Sequence, residues 1–217
     1  MKLAERLSDA ISGGIRRIGQ IAIRPQVGGY LLCHIDDENG DHALLEKFDD
    51  SAAARDISTW AEDGHYRFTK GDLSLKRGWL LRLSSAEELR QALDHFYPAA
   101  AGLWFAQLDD RLEIEHLRDK LNRQTGMYRF ARNLSDTGAQ SLVREVCGPG
   151  NCCVKKILWR IDANTPLEDS EASRFDGVTG DIDRSQAIPL LCREACNHFV
   201  AEARKASKAE QDAKATG

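Results

Sequence analysis

The spacing of apolar residues in the first part of the chain predicts a short helix followed by a small antiparallel sheet. Apolar residues recur at every fourth position over residues 2–12, which is the spacing of one helix face. Residues 18–24 and 30–36 are rich in β-branched and aromatic side chains, as strands usually are. Because Asn39-Gly40 is a strong signal for a tight hairpin, we expect an antiparallel meander that reaches about residue 48.

Alternating helical and strand-like patterns continue through the middle of the chain. Residues 51–64 have helical periodicity, and two strand-like runs follow at 65–69 and 78–83. Serine followed by glutamates opens a helix that should run over residues 85–97, since a serine cap and acidic residues stabilise a helix N-terminus. A further apolar helix is expected over residues 99–108, after the break at Pro98.

The last third of the chain reads as mainly helical. Ser135-Asp136 is a capping signal for a helix that continues through residue 146. Further helices are expected over residues 152–160 and 192–206, with a polar loop over 162–187 between them. The small and charged residues that follow resemble a frayed terminus.

These patterns predict an α+β protein, in which a small N-terminal antiparallel sheet with helices is followed by a mainly helical module that carries the cysteines. The expected parts are a leading helix at 1–14, an α+β domain at 15–97, a helical connector at 98–134, a cysteine-ligated module at 135–206 and a flexible tail at 207–217.

Composition and charge narrow the classes of function. The net charge of −4 lacks the basic excess of a general nucleic-acid binder, and no apolar run is long enough to cross a membrane. We therefore expect no nucleic-acid or membrane partner and a cytoplasmic location. Since the cytosol keeps thiols reduced, the six cysteines should serve metal binding, catalysis or core packing rather than disulfides.

Five of the six cysteines cluster in the last third of the chain, in the pattern Cys147-x4-Cys152-Cys153 followed by Cys192-x3-Cys196. Four thiolates are the ligand set of a [4Fe-4S] cluster or of a tetrahedral zinc ion. The spacing matches neither the usual zinc-ribbon pairs nor the ferredoxin run. On spacing alone, the iron–sulfur and zinc alternatives both stay open.

The expected local structure would bring these thiols together and favour their ionised form. The turn Gly148-Pro149-Gly150 would join Cys147 to Cys152 at a helix entry, and Cys192 and Cys196 would share one face of the last helix. A helix N-terminus lowers the pKa of a cysteine. Four basic residues lie near the proposed ligands: Lys155, Lys156, Arg160 and Arg193. They would offset the negative charge of a bound cluster, or they form an ordinary solvated helix face.

Several segments resemble a known family. They are residues 64–67 (GHYR), 76–79 (KRGW), 96–100 (FYPAA), 123–129 (RQTGMYR), 152–159 (CCVKKILW) and 189–197 (PLLCREACN). Together they are similar to the C-terminal half of the long sirohydrochlorin cobaltochelatases, in which a chelatase domain precedes a stabilising domain and a [4Fe-4S]-binding domain. The resemblance covers nearly the whole chain.

The resemblance implies a [4Fe-4S] cofactor with Cys147, Cys152, Cys192 and Cys196 as its ligands, and Cys153 as a spare or substitute ligand. The family's chelatase domain has no counterpart in this sequence, so chelatase activity cannot be carried over. An electron-transfer or sensing protein, a zinc-stabilised interaction module, and an accessory subunit of a separate chelatase in cobalamin metabolism are the three hypotheses. The expected partner is thus a redox protein or a chelatase.

Two further groups of residues are candidate binding or metal sites. Arg123, Thr125 and Arg129, next to Tyr128, could contact an anion or a partner protein, or could form a turn that docks Met127 and Tyr128 into the core. His34 and His42 lie near Cys33, but the expected hairpin register does not make the two imidazoles neighbours. We therefore expect no metal site there and assign Cys33 to the core. No independent catalytic motif is found.

Overall fold

The protein folds into two compact units. The computed structural model describes residues 2–68, 71–113, 116–147, 153, 155–158, 186–193 and 195–216. Unit 1 comprises Met1–Leu112 with Thr179–Leu190, and unit 2 comprises Glu113–Val178 with Leu191–Gly217. The chain therefore crosses from one unit to the other more than once.

Unit 1 is built on a six-stranded sheet with the strand order β4-β5-β3-β2-β1-β7. In chain order the strands are β1 Arg17–Ile18, β2 Ile21–Gln26, β3 Gly29–His34, β4 Glu46–Phe48, β5 Trp79–Leu83 and β7 Ala187–Ile188. Strand β2 pairs antiparallel with both β1 and β3, and β3 pairs antiparallel with β5. However, β4 runs parallel to β5 and β7 runs parallel to β1, so the sheet is mixed.

The expected antiparallel pairing of the first two predicted strands is confirmed, but the expected hairpin at Asn39-Gly40 is not formed. Gln26 pairs with Gly29, which leaves Val27-Gly28 as the two-residue loop, and Gly28 has a φ of +83° that favours glycine. The Asn39-Gly40 dipeptide instead follows a short 3₁₀ helix at Ile35–Asp37. Strand β3 lies between β2 and β5, so the segment after Gly40 cannot pair with it. That segment forms β4, which pairs in parallel with β5, and the predicted meander is wrong at this point.

Four helices accompany the sheet, and three of them match the sequence pattern closely. They are α1 Leu3–Ser12, α2 Ala53–Thr59, α3 Ala86–Phe96 and α4 Ala100–Leu108. The Ser85 hydroxyl accepts the Glu88 backbone N–H at 3.2 Å, as the capping signal predicts. The predicted helix over 51–64 ends early, at Thr59. The predicted strand at 65–69 is reduced to an isolated bridge between Trp60 and Tyr66.

Large apolar side chains fill the interior of unit 1. Trp79 on β5 stacks on Phe96 of α3, with ring centroids 5.1 Å apart, and both are fully buried. Further fully buried aliphatic side chains, most of them on α1 and the strands, are Leu7, Ile11, Ile18, Ile21, Ile23, Leu32, Leu75 and Leu81. This core is large enough to hold the unit together by burial of apolar surface.

Unit 2 is mainly helical, as the sequence predicts, with one short parallel strand pair. Its elements are α5 Leu117–Asn122, a 3₁₀ helix Gly126–Asn133, α6 Asp136–Cys147, β6 Lys156–Ile157, β8 Leu191–Cys192 and α7 Asn197–Thr216. The Ser135 hydroxyl accepts the Gly138 N–H at 3.0 Å, which confirms the predicted cap of α6.

Two predicted helices of unit 2 are wrong in type or in boundary. Residues 156–157, expected in a helix over 152–160, form β6 instead. The last helix begins at Asn197 rather than at Cys192, because the Cys192 carbonyl accepts the Leu158 N–H at 2.9 Å and so belongs to the strand pair. It continues to Thr216, through residues for which the sequence predicts a frayed tail. The predicted loop at 162–187 lies largely outside the described residues.

In the part of the chain that the structure describes, no helix is long and apolar enough to span a bilayer.

Candidate metal centre

The predicted cluster ligands come from three different elements of unit 2. Cys147 is the last residue of α6 and is buried, whereas Cys192 lies on β8 and is half-buried. Cys196 directly precedes α7 and is exposed, and Cys153 is half-buried. Cys152 lies outside the described residues, so its place relative to the other three stays a prediction.

A single hydrophobic cluster brings Cys147 and Cys192 onto one core. Cys147 is one of its buried members, together with Ile157 and Phe199, and Cys192 packs against it as a partly buried side chain. Cys196 is tied to the same core, because its sulfur accepts the Phe199 backbone N–H at 3.4 Å. Three of the four predicted ligands therefore contact or border one core, although they are distant in the sequence.

The described cysteines differ in where they lie relative to helix termini, and only one lies where the sequence predicts. Cys196 directly precedes α7, at the N-terminus of that helix, and its sulfur accepts the Phe199 backbone N–H. Cys192 lies on a strand, so the prediction that it shares a helix face with Cys196 is wrong. Cys147 is the last residue of α6 and so lies at a helix C-terminus. Only Cys196, among the described ligands, has the expected environment.

Arg193 supplies an observation that fits a bound anionic group beside Cys192. Its Nη2 donates to the Glu113 carbonyl oxygen at 3.3 Å, which orients the guanidinium. Its Nε is buried and has no hydrogen-bond partner among the described residues. A buried charged N–H without an acceptor costs free energy, and a cysteine thiolate or a cluster sulfide is an acceptor of the required charge.

The described residues alone do not form a site for one metal ion. Among them, no three histidine, cysteine, aspartate or glutamate side chains come together closely enough to hold one. A four-iron cluster binds each thiolate at a separate iron, so its ligands need not converge on one atom. The ligand set Cys147, Cys152, Cys192 and Cys196 accordingly remains a prediction.

The residues predicted to contact an anion or a partner lie on or just before the 3₁₀ helix of unit 2. Arg123, Thr125 and Arg129 are all exposed. Tyr128 packs against the hydrophobic cluster that contains Cys147, whereas Met127 is 63% exposed. Of the two residues that the alternative prediction assigned to the core, Tyr128 is docked there and Met127 is in solvent.

The histidines near Cys33 have other roles. His34 is buried on β3 and pairs with Ile21, and its Nδ1 accepts the Asp36 N–H at 3.1 Å. His42 lies 3.2 Å, through its Nε2, from the Asp37 carbonyl oxygen. Cys33 is buried in the sheet, as predicted.

Burial also decides the chemistry of Cys33. Desolvation, with help from nearby carboxylates, raises the pKa of its thiol to about 12. Cys33 is therefore protonated and unreactive at neutral pH, in contrast to a ligand thiol.

Sequence reasoning missed a buried polar network in unit 1. Arg67 is buried and donates to the Asp72 carboxylate at 3.2 Å, and the Gln20 N–H donates to the Tyr97 hydroxyl at 2.9 Å. Arg67 and Asp72 lie in an irregular segment without periodicity. The sequence therefore offers no signal that this ion pair is internal.

Comparison with protein families divides the chain into two parts. Residues 3–108 match the model of the DR2241 stabilising domain. Residues 109–205 match the model of a 4Fe-4S iron-sulfur cluster binding domain, which includes all four predicted ligands. The second match supports an iron–sulfur cluster, and no comparison supports the zinc alternative. The search of curated proteins gave no match.

One solved structure resembles nearly the whole chain. It is DR2241 from Deinococcus radiodurans, described as a multi-domain protein with structural similarity to chelatases and with two additional novel domains. The TM-score is 0.74 at 24% identity, over 96% of this chain and 42% of DR2241. The likeness shows a shared fold, and this chain spans less than half of that protein's length. The chain is therefore similar to a DR2241 stabilising domain over residues 3–108 and to a 4Fe-4S cluster-binding domain over residues 109–205, the order that the sequence resemblance implied.

Proposed function

We propose that unit 2 binds one [4Fe-4S] cluster through Cys147, Cys152, Cys192 and Cys196. The protein would then act as a redox or accessory component in tetrapyrrole metabolism, alongside a chelatase-like protein of the sirohydrochlorin or cobalamin pathway. Cys153 is the substitute for Cys152 in this proposal.

The observation that carries the proposal is the shared core of Cys147 and Cys192. These two cysteines are separated by a long stretch of sequence, yet both contact one hydrophobic cluster inside the region that matches the cluster-binding family. Cys196 is joined to that cluster through Phe199. Such convergence is what a multinuclear thiolate site requires, and scattered core cysteines would not need it.

The chain's own residues would tune the cluster in three ways. The buried position of Cys147 excludes water from one side, and the N-terminus of α7 at Cys196 supplies a backbone N–H. Arg193, next to Cys192 in the sequence, adds a positive charge and a buried Nε–H that has no acceptor among the described residues. Hydrogen bonds, charge and solvent exposure are the levers that set the reduction potential of an iron–sulfur centre. The bound cluster itself would supply one-electron chemistry.

Exposure of Cys196 supports a redox role over a sealed structural one. Cys147 is buried, whereas Cys196 is exposed at the start of α7. A ligand with this exposure brings one edge of the cluster towards solvent, and electron transfer to a partner requires such an edge. A purely structural centre has no need of one.

The proposed link to a chelatase comes from the family resemblance. DR2241, which shares the matched fold, is described as a multi-domain protein with structural similarity to chelatases. We propose that the region described here likewise acts together with a chelatase. Co-purification of a tagged chain from its native host tests this, and a chain that elutes alone, with no tetrapyrrole enzyme encoded nearby, contradicts it.

Anaerobic purification of the full chain tests cluster binding. We expect a brown protein with visible absorption that bleaches on reduction and about four irons and four sulfides per chain. Cys33→Ser is the matched control, because this buried thiol of unit 1 should leave the iron content unchanged. A colourless protein without iron after reconstitution contradicts the proposal.

A further inference from the structure

Unit 2 carries an exposed surface, which we call the basic face, that combines cations with apolar side chains. It consists of Arg123, Met127, Arg129, Phe130 and Arg132, on the 3₁₀ helix Gly126–Asn133 and the turn before it. Met127 is 63% exposed and Phe130 is 40% exposed. Large apolar side chains with this exposure, three residues apart on one helix and flanked by charged residues, are typical of an interaction surface.

The charge of the basic face opposes that of the whole protein. Residues 120–135 contain four cations and no acidic residue, whereas the full chain has a net charge of −4. The Arg129 guanidinium lies 4.9 Å from the Phe130 ring centroid. Within the described residues, neither Arg129 nor Arg132 makes an ion pair with a carboxylate. The positive potential of this face is therefore available to a partner.

The 3₁₀ helix that carries the basic face also contributes side chains to the cysteine-bearing core. Tyr128, in the middle of the 3₁₀ helix, packs against the hydrophobic cluster that contains Cys147 and Cys192, and Ala131 is a buried member of the same cluster. Side chains on either side of Tyr128 point into solvent. One layer of side chains thus separates this surface from the core that two predicted ligands share.

We propose that the basic face docks an acidic one-electron carrier protein of the flavodoxin or ferredoxin class. A small apolar centre with a charged rim matches the modest interfaces of transient redox complexes, and opposite charge speeds their formation. On docking, one electron passes from the reduced carrier to the bound cluster, and no covalent bond forms or breaks. This inference rests on the proposed cluster function and names its partner.

Charge favours an acidic protein over nucleic acid as the occupant. A nucleic-acid surface needs a wide basic footprint that follows the phosphate backbone. Here acidic residues outnumber basic residues over the chain, 34 to 30, and the cationic stretch is short. A compact acidic protein surface is the better complement.

Binding of an acidic flavodoxin to the anaerobically purified full chain tests the proposal. Isothermal titration calorimetry should give a dissociation constant that rises about tenfold or more between low and high salt, because exposed charges are screened. The double variant Arg129→Glu/Arg132→Glu should weaken binding at low salt by about tenfold or more. Circular dichroism and iron content verify that the variant is folded and loaded.

A charge-matched variant of unit 1 is the control. Arg55 and Arg82 are both exposed, and Arg55→Glu/Arg82→Glu changes the net charge by the same amount. We expect it to change the dissociation constant by less than about twofold, since nearby charges dominate at physiological salt. Equal weakening by both double variants would show that only net charge matters and would overturn the docking surface.

Phe130→Ala provides a second variant that keeps every charge. It should weaken binding by about fivefold without changing the salt dependence, because it removes apolar contact area only. Unaltered binding in both Phe130→Ala and the double variant contradicts the proposal. So does absence of flavodoxin binding to the wild type, or preferential binding of a single-stranded oligonucleotide at the same face.

The two proposals fail in different ways. A chain that loads iron and sulfide but does not bind flavodoxin through the basic face contradicts the docking surface alone. A chain that binds flavodoxin through this face but never acquires iron contradicts the cluster function alone.

Discussion

Unit 1 and unit 2 differ in what holds them together. Unit 1 has a six-stranded sheet and a core with Trp79 and Phe96 fully buried. Unit 2 has a sheet of two short strands, and its described hydrophobic cluster has one fully buried aromatic residue, Phe199, among smaller side chains. A small core with few large side chains supplies little stability and often depends on a metal. We therefore expect apolar burial to hold unit 1 together and the proposed cluster to add to the stability of unit 2.

Removal of iron should give the largest difference in stability between the two units. Metal binding by thiolates is linked to folding, and its free energy is on the order of 10 kcal/mol in small zinc-binding modules. Anaerobic chelation should therefore abolish hydrogen-exchange protection in α5, α6 and the start of α7. Protection of β2, β3 and β5 should persist. Loss of protection in both units together would show that the units are not independent in stability.

Phe96→Ala should destabilise unit 1 and leave unit 2 intact. Deletion of a fully buried aromatic side chain costs about 3–5 kcal/mol, and here it also removes the stacking contact with Trp79. Denaturant unfolding followed by Trp79 fluorescence should show this loss. Iron content should remain at the wild-type value under native conditions, and its disappearance would contradict the separation of the two units.

Arg193→Gln should alter the cluster without unfolding unit 2. It removes a positive charge and the buried Nε donor beside Cys192, so the oxidised, less negative form gains relative stability. We expect the reduction potential to fall by roughly 50 mV, close to tenfold in equilibrium constant. Redox titration measures this value. Arg193→Lys should recover part of the shift, and an unchanged potential in both variants would exclude the proposed contact.

Matched helix caps give the smallest expected effect. Ser85→Ala removes the cap of α3, and Ser135→Ala removes that of α6 together with its contact to Glu210 at 2.6 Å. Each should lower the free energy of unfolding of its own unit by about 1 kcal/mol. Chemical denaturation with exchange readout assigns each loss to a unit. A cap variant that destabilises only the other unit would contradict the division.

Much of the helical structure could be predicted, because periodicity and capping are local signals. Ser85 and Ser135 open helices as their side chains suggest, and α1 follows its apolar spacing. The sheet was harder. Parallel pairing of β4 with β5 depends on distant residues, and it overrides the Asn39-Gly40 turn signal.

The candidate site was predictable in composition but not in local geometry. Clustered cysteines and family resemblance identified the region that matches the cluster-binding family. The strand at Cys192 could not be read from the sequence, because it forms only by pairing with Ile157, a distant residue. The buried Nε of Arg193 likewise has no sequence signature, since burial of one atom depends on tertiary packing.

The central claim is that four particular cysteines hold one iron–sulfur cluster, and adjacent serine variants test it most directly. Iron and sulfide should be counted in anaerobically reconstituted Cys152→Ser and Cys153→Ser chains, with electron paramagnetic resonance of the reduced proteins. The account predicts about four irons per chain with Cys153→Ser and loss of the intact cluster with Cys152→Ser. Full loading of Cys152→Ser, with loss in Cys153→Ser, would contradict it.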